Sequence, residues 1–221
     1  MKVGIWWKVI AVILVFYTII AGLLIPVPAL PILNESIRNT FFHIPMWFSM
    51  MILMTVSLVS SVRYLSGFDM KKDHLAAESA NVALFMGVLG LLTGMIWAQY
   101  TWGTFWTNDV KLNGTAISML VYLAYLVLRN SIEEEQKRAK VAAVYNIFAY
   151  VMMMLFIMVL PRLTDSLHPG NGGNPAFGEY DMDSTMRMVF YPAVIGWTLL
   201  GVWFIQLRMR LNKIKNHLIY E

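Results

Sequence analysis

The stretch VIAVILVFYTIIAGLLIPVPALPIL, residues 9–33, contains no charged side chain. One helix needs about 20 predominantly apolar residues to cross the hydrocarbon core of a bilayer, so this stretch is long enough to span it. Lys2 and Lys8 precede the stretch, but it is longer than the apolar part of a signal peptide and has no A-x-A cleavage pattern before its prolines. We therefore expect an uncleaved first membrane helix.

The composition of the whole chain extends this expectation. Of the 221 residues, 58% are hydrophobic and 14% are charged, whereas a soluble domain is about 45–50% apolar and about 25% charged. The absence of cysteine excludes a disulfide scaffold, a thiolate metal site and a covalent CxxCH haem attachment. The basic residues lie at the ends of apolar runs, so the net charge of +4 does not indicate nucleic-acid binding. An all-α integral membrane protein is expected.

Six candidate spans lie between the charged residues, and their continuous apolar runs favour helices over a β-barrel. We expect one membrane domain over residues 1–221, with spans at about 5–25, 43–64, 80–99, 114–129, 142–161 and 188–207. The fourth span is the shortest, because the uncharged run Leu112–Leu128 has only 17 residues. In the third span, Gly90 and Gly94 form a G-x-x-x-G motif, which predicts close helix packing. Lys and Arg number thirteen on one side and four on the other, which predicts cytoplasmic termini and three outer loops.

The function is expected on the outer loops, whereas the inner loops are expected to be solvated connectors. The inner segment Arg63–Glu78 is short and of mixed charge, and we expect no buried carboxylate within the bilayer. The outer segment 162–187 is long and rich in glycine and asparagine, which is typical of binding loops or disorder. No Walker motif or nucleophile triad is present, so we do not expect an enzyme, and ATP hydrolysis would have to come from a partner.

Two of the four histidines fall in one predicted layer at the outer surface. His43 opens the second span, and His168 lies seven residues after Pro161, where the fifth span ends. Neutral imidazole is a common ligand of haem iron, and two facing imidazoles can hold the iron from both sides. The competing interpretation of each histidine is an amphipathic anchor at the membrane edge.

An aromatic loop separates the two histidines in the sequence and strengthens the ligand interpretation. It reads YTWGTFWTNDVKLN over residues 100–113. If the loop is a helix lying on the membrane, Trp102, Trp106 and Asp109 share one face. Together with Trp97, such a cluster suits a large planar hydrophobic ligand, although an interfacial belt also explains single tryptophans. Three outer cations are candidates for binding the propionates of a haem: Arg38, Lys111 and Arg162.

Two of these stretches resemble a known family. Trp102–Asp109, which reads W-G-x-x-W-x-x-D, resembles the tryptophan-rich WWD signature of haem-handling proteins in cytochrome c biogenesis. The stretch HIPMW, residues 43–47, resembles the segment that opens the second span in the same proteins. With six spans and this length, the chain is similar to the CcmC family, the haem-delivery subunit of the cytochrome c maturation system. Phe105 and Asn108 stand where the family often has further tryptophans.

The resemblance implies a specific function in the bacterial inner membrane. The WWD loop would cradle haem b on the outer face as a non-covalent, transferred cargo, with His43 and His168 as ligands of the iron. The implied partners are a periplasmic haem chaperone, the ABC transporter subunits of the cytochrome c maturation system, and membrane lipid. Two alternatives stay open: a membrane cytochrome b-type electron-transfer subunit, which would carry paired histidines within its spans, and a small-molecule transporter, which would show broken spans in matching halves.

Overall fold

A computed structural model describes residues 4–29, 33–168 and 182–219, the last four by their backbone alone, and within these ranges its regular elements are all helical. The elements in chain order are α1 (Trp6–Leu24), a 3-10 helix (Asn34–Phe41), α2 (His43–Gly67), α3 (Met70–Trp102), α4 (Val110–Asn130), α5 (Glu135–Met154), a π-helical segment (Leu155–Val159), α6 (Leu160–Leu163) and α7 (Ser184–Ile219).

Six helical stretches are long and apolar enough to cross a membrane, which confirms the predicted all-α membrane fold. The 3-10 helix continues into α2 as one stretch, and α5 continues through the π-helical segment into α6 as another. Several helices are longer than the sequence predicted. The 33 residues of α3 extend for about 50 Å at about 1.5 Å per residue, well beyond a hydrocarbon core of about 30 Å.

Local sequence explains where several helices begin and end. Asp69 caps the start of α3 by accepting a hydrogen bond from the backbone N–H of Lys71 at 2.9 Å, and Asp109 caps α4 in the same way. Gly103 ends α3 with a left-handed φ of 75°, a conformation that glycine adopts without steric cost. Gly103 and Asp109 thus confine the aromatic segment to a short connection between α3 and α4.

Helix α2 lies at the centre of the bundle and packs against α3, α5 and α7, while α1 packs against α7 and α4 against α5. The main core is rich in methionine and tyrosine, including Met50, Met86 and Tyr122. Successive spans run in opposite directions, so the bundle has two ends. We call the one with His43 and His168 the histidine end, and the one with Arg129 and Arg208 the arginine end.

The arginine end contradicts the expectation that the inner segment Arg63–Glu78 is a solvated connector. Most of the segment is helical, and Asp73 and Glu78 lie almost completely buried, with 2% and 6% of their surface exposed. Arg129 of α4 donates to both oxygens of Asp73 at 2.7 and 2.5 Å, and Arg208 of α7 pairs with Glu78. The prediction was wrong because the partners that make burial possible come from helices distant in sequence.

Candidate functional site

His43 lies at the first position of α2, with its ring against the flank of α3. Its Nδ1 is 2.8 Å from the backbone carbonyl oxygen of Gly90 and 3.2 Å from the hydroxyl of Thr93. A carbonyl oxygen only accepts hydrogen bonds, so Nδ1 carries the proton and donates it. In the neutral imidazole this leaves the lone pair on Nε2, the nitrogen available to a metal.

The glycines of the G-x-x-x-G motif allow this close approach. A Cβ atom on Gly94 would lie 2.6 Å from Cε1 of His43, and one on Gly90 would lie 2.8 Å from Cε2 of Trp47. Both distances are shorter than real Cβ contacts, so no larger residue fits without displacing these rings. The motif therefore packs helices closely, as predicted, and its neighbours are a candidate ligand and an indole beside it.

His168 lies at the same end of the bundle as His43, although the two residues are far apart in the sequence. Pro161 lacks a backbone N–H and lies just after the π-helical segment, where the regular helix is interrupted. The chain leaves α6 at Leu163 and folds back, so that Nδ1 of His168 lies 2.9 Å from Oδ1 of Asp109. Residues 59 positions apart thus form the central contact of the site.

Asp109 is the organising residue of this contact, and only 3% of its surface is exposed. Besides capping α4, it accepts hydrogen bonds at 2.8 Å from the Ser166 hydroxyl and from the Leu167 backbone N–H. Burial alone would raise the pKa of Asp109, but the hydrogen bonds from His168, Ser166 and Leu167 outweigh it and hold the pKa well below its usual value. The carboxylate is therefore ionised and can only accept hydrogen bonds, so a neutral His168 donates from Nδ1 and keeps its lone pair on Nε2.

Two tryptophans from the last turns of α3 enclose the His168 ring. The ring centroids of Trp102 and His168 are 4.8 Å apart at an interplanar angle of 79°, and those of Trp97 and His168 are 5.9 Å apart at 34°. The two indoles also contact each other edge to face at 5.1 Å. This enclosure fixes the orientation of the imidazole that Asp109 anchors.

The prediction of a helix lying on the membrane across residues 102–109 is wrong. Helix α3 ends at Trp102, and irregular backbone follows until Asp109, so Trp102, Trp106 and Asp109 do not share a helical face. The physical reason is Gly103, whose positive φ ends the helix. Trp106 stands apart, 37% exposed, with its indole N–H donating to Asn113 at 3.3 Å.

One face of α3 connects the two histidines. Gly90, Gly94 and Trp97 lie at spacings of four and three residues and so point to the same side of the helix. The two glycines lie against His43 and Trp47, and Trp97 contacts His168, about 4.5 Å further along the helix axis. The structure thus brings the two predicted ligands together at one end of the bundle.

The three predicted cations also lie at the histidine end. Arg38 pairs with Glu35 at 2.6 Å and donates to two carbonyl oxygens at the end of α1, at 2.7 and 3.2 Å. Arg162 donates to a carbonyl oxygen of its own helical stretch, and Lys111 lies half-buried in the first turn of α4. Arg38 thus has a structural contact with α1 that its sequence position did not indicate.

Sequence reasoning missed two contributors to the site. The sequence motif indicates only helix packing for Gly94, and no motif points to Ser166, which donates to Asp109 at 2.8 Å. The sequence does contain a signal for Gly94, because the spacing of Gly90, Gly94 and Trp97 places all three on the same side of the helix. The glycine- and asparagine-rich part of the predicted binding loop, residues 169–181, lies outside the described residues.

Comparison with known proteins identifies the family. The model of the family described as "CcmC: Heme exporter protein C" matches residues 1–219. The chain belongs to the CcmC family. This CcmC-family chain is 27% identical over 181 residues to Heme exporter protein C of Paracoccus denitrificans, an alignment that covers 80% of the chain and 73% of the relative. The Escherichia coli K12 protein of the same name is 23% identical over 180 residues, covering 80% and 70%.

A shorter similarity reaches a second group of proteins. The CcmC-family chain is 36% identical over 88 residues to Cytochrome c biogenesis protein CcsA of Prochlorococcus marinus strain MIT 9515, covering 40% of the chain and 28% of the relative. Membership confirms the resemblance found in the sequence and supports a role in haem handling for cytochrome c biogenesis. With six helices able to cross a membrane, the chain is a multi-pass protein of the bacterial inner membrane.

Proposed function

We propose that the chain binds haem non-covalently at the histidine end, between His43 and His168, and transfers it to a periplasmic haem chaperone. One observation carries this proposal: each histidine donates from Nδ1 to an oxygen that can only accept, which leaves the lone pair on Nε2. Haem iron is commonly held by imidazole nitrogen, and a hydrogen bond on the other ring nitrogen orients the ring and raises its basicity.

The surroundings of the two histidines fit a large planar ligand. Trp97 and Trp102 position His168, while Phe105 and Trp106 present exposed rings, with 53% and 37% of their surface accessible. Aromatic faces bury the apolar area of a macrocycle efficiently. We assign the propionates to the cations at this end, Arg38, Lys111 and Arg162, because charge-assisted hydrogen bonds are the strong ones.

Ligation by two histidines explains why the protein would carry haem rather than use it as a catalytic cofactor. Both axial positions of the iron are then filled, which suits holding and transfer rather than oxygen chemistry. No cysteine is present to attach the macrocycle covalently, so the cargo can be given away. We place the handover at the exposed residues 103–106, and we propose the chaperone and the ABC transporter subunits of the maturation system as partners on the strength of the family match.

The test is an absorption spectrum of purified protein reconstituted with haem. We expect a Soret band typical of two histidine ligands, weakened in His43→Ala or His168→Ala and lost in the double variant. Added imidazole should restore the band in the single variants by replacing the missing ligand. His74→Ala is the matched control, because His74 is a half-exposed histidine at the arginine end.

A Soret band that persists unchanged in the double variant contradicts the proposal, as does an equal loss in His74→Ala. The transfer step is tested separately, by mixing haem-loaded protein with the purified chaperone and measuring haem in each fraction after separation. Haem that stays entirely with the membrane protein contradicts the transfer step while leaving haem binding intact.

A further inference from the structure

A polar cavity of about 430 Å³ opens at the arginine end, between the ends of α3, α4, α5 and α7. Its walls include three arginines, Arg129, Arg138 and Arg208, together with Asn130 and the carboxylate of Glu78. Its volume falls within the range of small-molecule sites, about 300–1,000 Å³. The proposed haem site lies at the opposite end of the bundle and does not use these residues.

The positive charge of this cavity exceeds its negative charge. Asp73 engages Arg129 through both oxygens, and Glu78 engages Arg208, so two of the three guanidinium groups are held in place by buried carboxylates. Arg138 is half-buried and forms no ion pair with any residue in the described part of the chain. Two of the three lining arginines are therefore paired with a carboxylate, and Arg138 adds a positive charge that no ion pair among the described residues balances.

The position of the cavity along α3 corresponds to the depth of lipid head groups. From Trp97 to Glu78 the helix rises about 28 Å, close to the thickness of a hydrocarbon core of about 30 Å. Tryptophan is enriched at membrane interfaces, so if Trp97 lies at one interface, Glu78 and the cavity lie at the other. Charged side chains at this depth meet head groups rather than acyl chains.

We propose that this cavity binds an anionic phosphate group, supplied either by the head group of an anionic phospholipid or by free phosphate. Planar guanidinium groups donate paired hydrogen bonds that match phosphate oxygens, and groups already fixed by carboxylates lose little freedom on binding. Basic pockets between membrane helices are a recurrent place for anionic head groups. The excess charge at Arg138 selects against zwitterionic lipid.

The experiment measures binding to the purified full chain in detergent by microscale thermophoresis. The probes are dioctanoyl phosphatidylglycerol, dioctanoyl phosphatidylcholine and inorganic phosphate, titrated separately. We expect saturable binding of phosphatidylglycerol, at least tenfold weaker binding of phosphatidylcholine, and about tenfold weaker phosphatidylglycerol binding in Arg138→Gln, since one charge-assisted hydrogen bond is worth about tenfold or more. The control is Lys137→Gln, which removes the same charge from the adjacent, exposed position outside the cavity.

Each result supports or overturns the proposal. Phosphatidylglycerol binding that is much tighter than phosphate binding identifies a lipid as the source of the group, whereas equal affinities identify free phosphate. The absence of saturable binding by both anionic probes overturns the proposal, as does equal weakening in Arg138→Gln and Lys137→Gln. Because Arg138 makes no ion pair with a described residue, its substitution leaves the buried pairs intact.

Discussion

At the histidine end, His43 and His168 each bond through one ring nitrogen and keep a lone pair on the other, whereas at the arginine end Asp73 and Arg129 bond to each other through two hydrogen bonds. The first arrangement orients each imidazole ring and leaves its second nitrogen available to a ligand. The second mainly satisfies buried charges with each other. Substitutions of the two histidines should therefore change ligand binding, and substitutions in the buried ion pairs of the arginine end should change folding.

The largest effect is expected at the buried pair of the arginine end. Asp73→Ala leaves Arg129, only 11% exposed, without its carboxylate partner, and breaking such a pair costs about 3–5 kcal/mol. We expect a large fall in the thermal unfolding midpoint or loss of folded protein, measured by size-exclusion chromatography and thermal denaturation in detergent. Replacing both partners by leucine should recover most of the stability, because two apolar side chains need no partner charge.

The exposed pair Arg38–Glu35 at the histidine end is the matched control for this prediction. Glu35 is 76% exposed, so Glu35→Ala should change stability by at most about 1 kcal/mol. If Asp73→Ala is as mild as Glu35→Ala, the contact between Asp73 and Arg129 is not a stabilising pair, and the contrast between the two ends fails.

A smaller and more selective effect is expected for Asp109→Asn. Asparagine caps a helix about as well as aspartate, so the start of α4 should be retained. The ionised acceptor for the Nδ1 proton of His168 is lost, and losing such an outer partner lowers metal affinity about 10–100-fold. Haem titration followed at the Soret band measures this change.

Asp69→Asn is the control, because Asp69 caps α3 at the arginine end in the same way that Asp109 caps α4. It should leave haem affinity unchanged. Equal haem affinity in wild type and Asp109→Asn would show that the carboxylate only caps α4. Asp109 would then have a purely structural role, like the buried pair Asp73–Arg129.

The sequence predicted six helices able to cross a membrane, because charge-free runs of about 20 residues are a direct physical requirement of the bilayer. It also pointed to His43, Trp102 and Asp109 as candidates, since all three belong to local motifs, and the structure places them at the same end of the bundle. It did not predict that Asp109 bonds His168 or that Arg129 bonds Asp73, because these partners are 59 and 56 residues apart and no periodic pattern relates them. Such contacts depend on how the helices pack.

The error over the interfacial helix has a different cause. The spacing of Trp102, Trp106 and Asp109 matches a helical face. The same segment, however, contains a helix-end signal and a helix-start signal, and these outweigh the spacing. Gly103 is typical of the position after a helix end, and Asp109 is typical of a helix start. Read together, these signals predict the observed break between α3 and α4, with Trp102 on one helix and Asp109 at the start of the next.

The smallest effect is expected for Gly94→Ala, which tests whether the helix-packing motif belongs to the histidine end. The added Cβ lies 2.6 Å from Cε1 of His43, so the ring must shift, while the hydrogen bond to Gly90 resists the shift. Overpacking of this kind costs about 1–3 kcal/mol, and at the lower end of that range we expect haem affinity to fall about fivefold. Gly67→Ala is the control, since a Cβ there has no neighbour within 4 Å. If the two variants bind haem equally, His43 adapts to the extra methyl group, and the close fit of α2 on α3 matters for packing but not for the ligand.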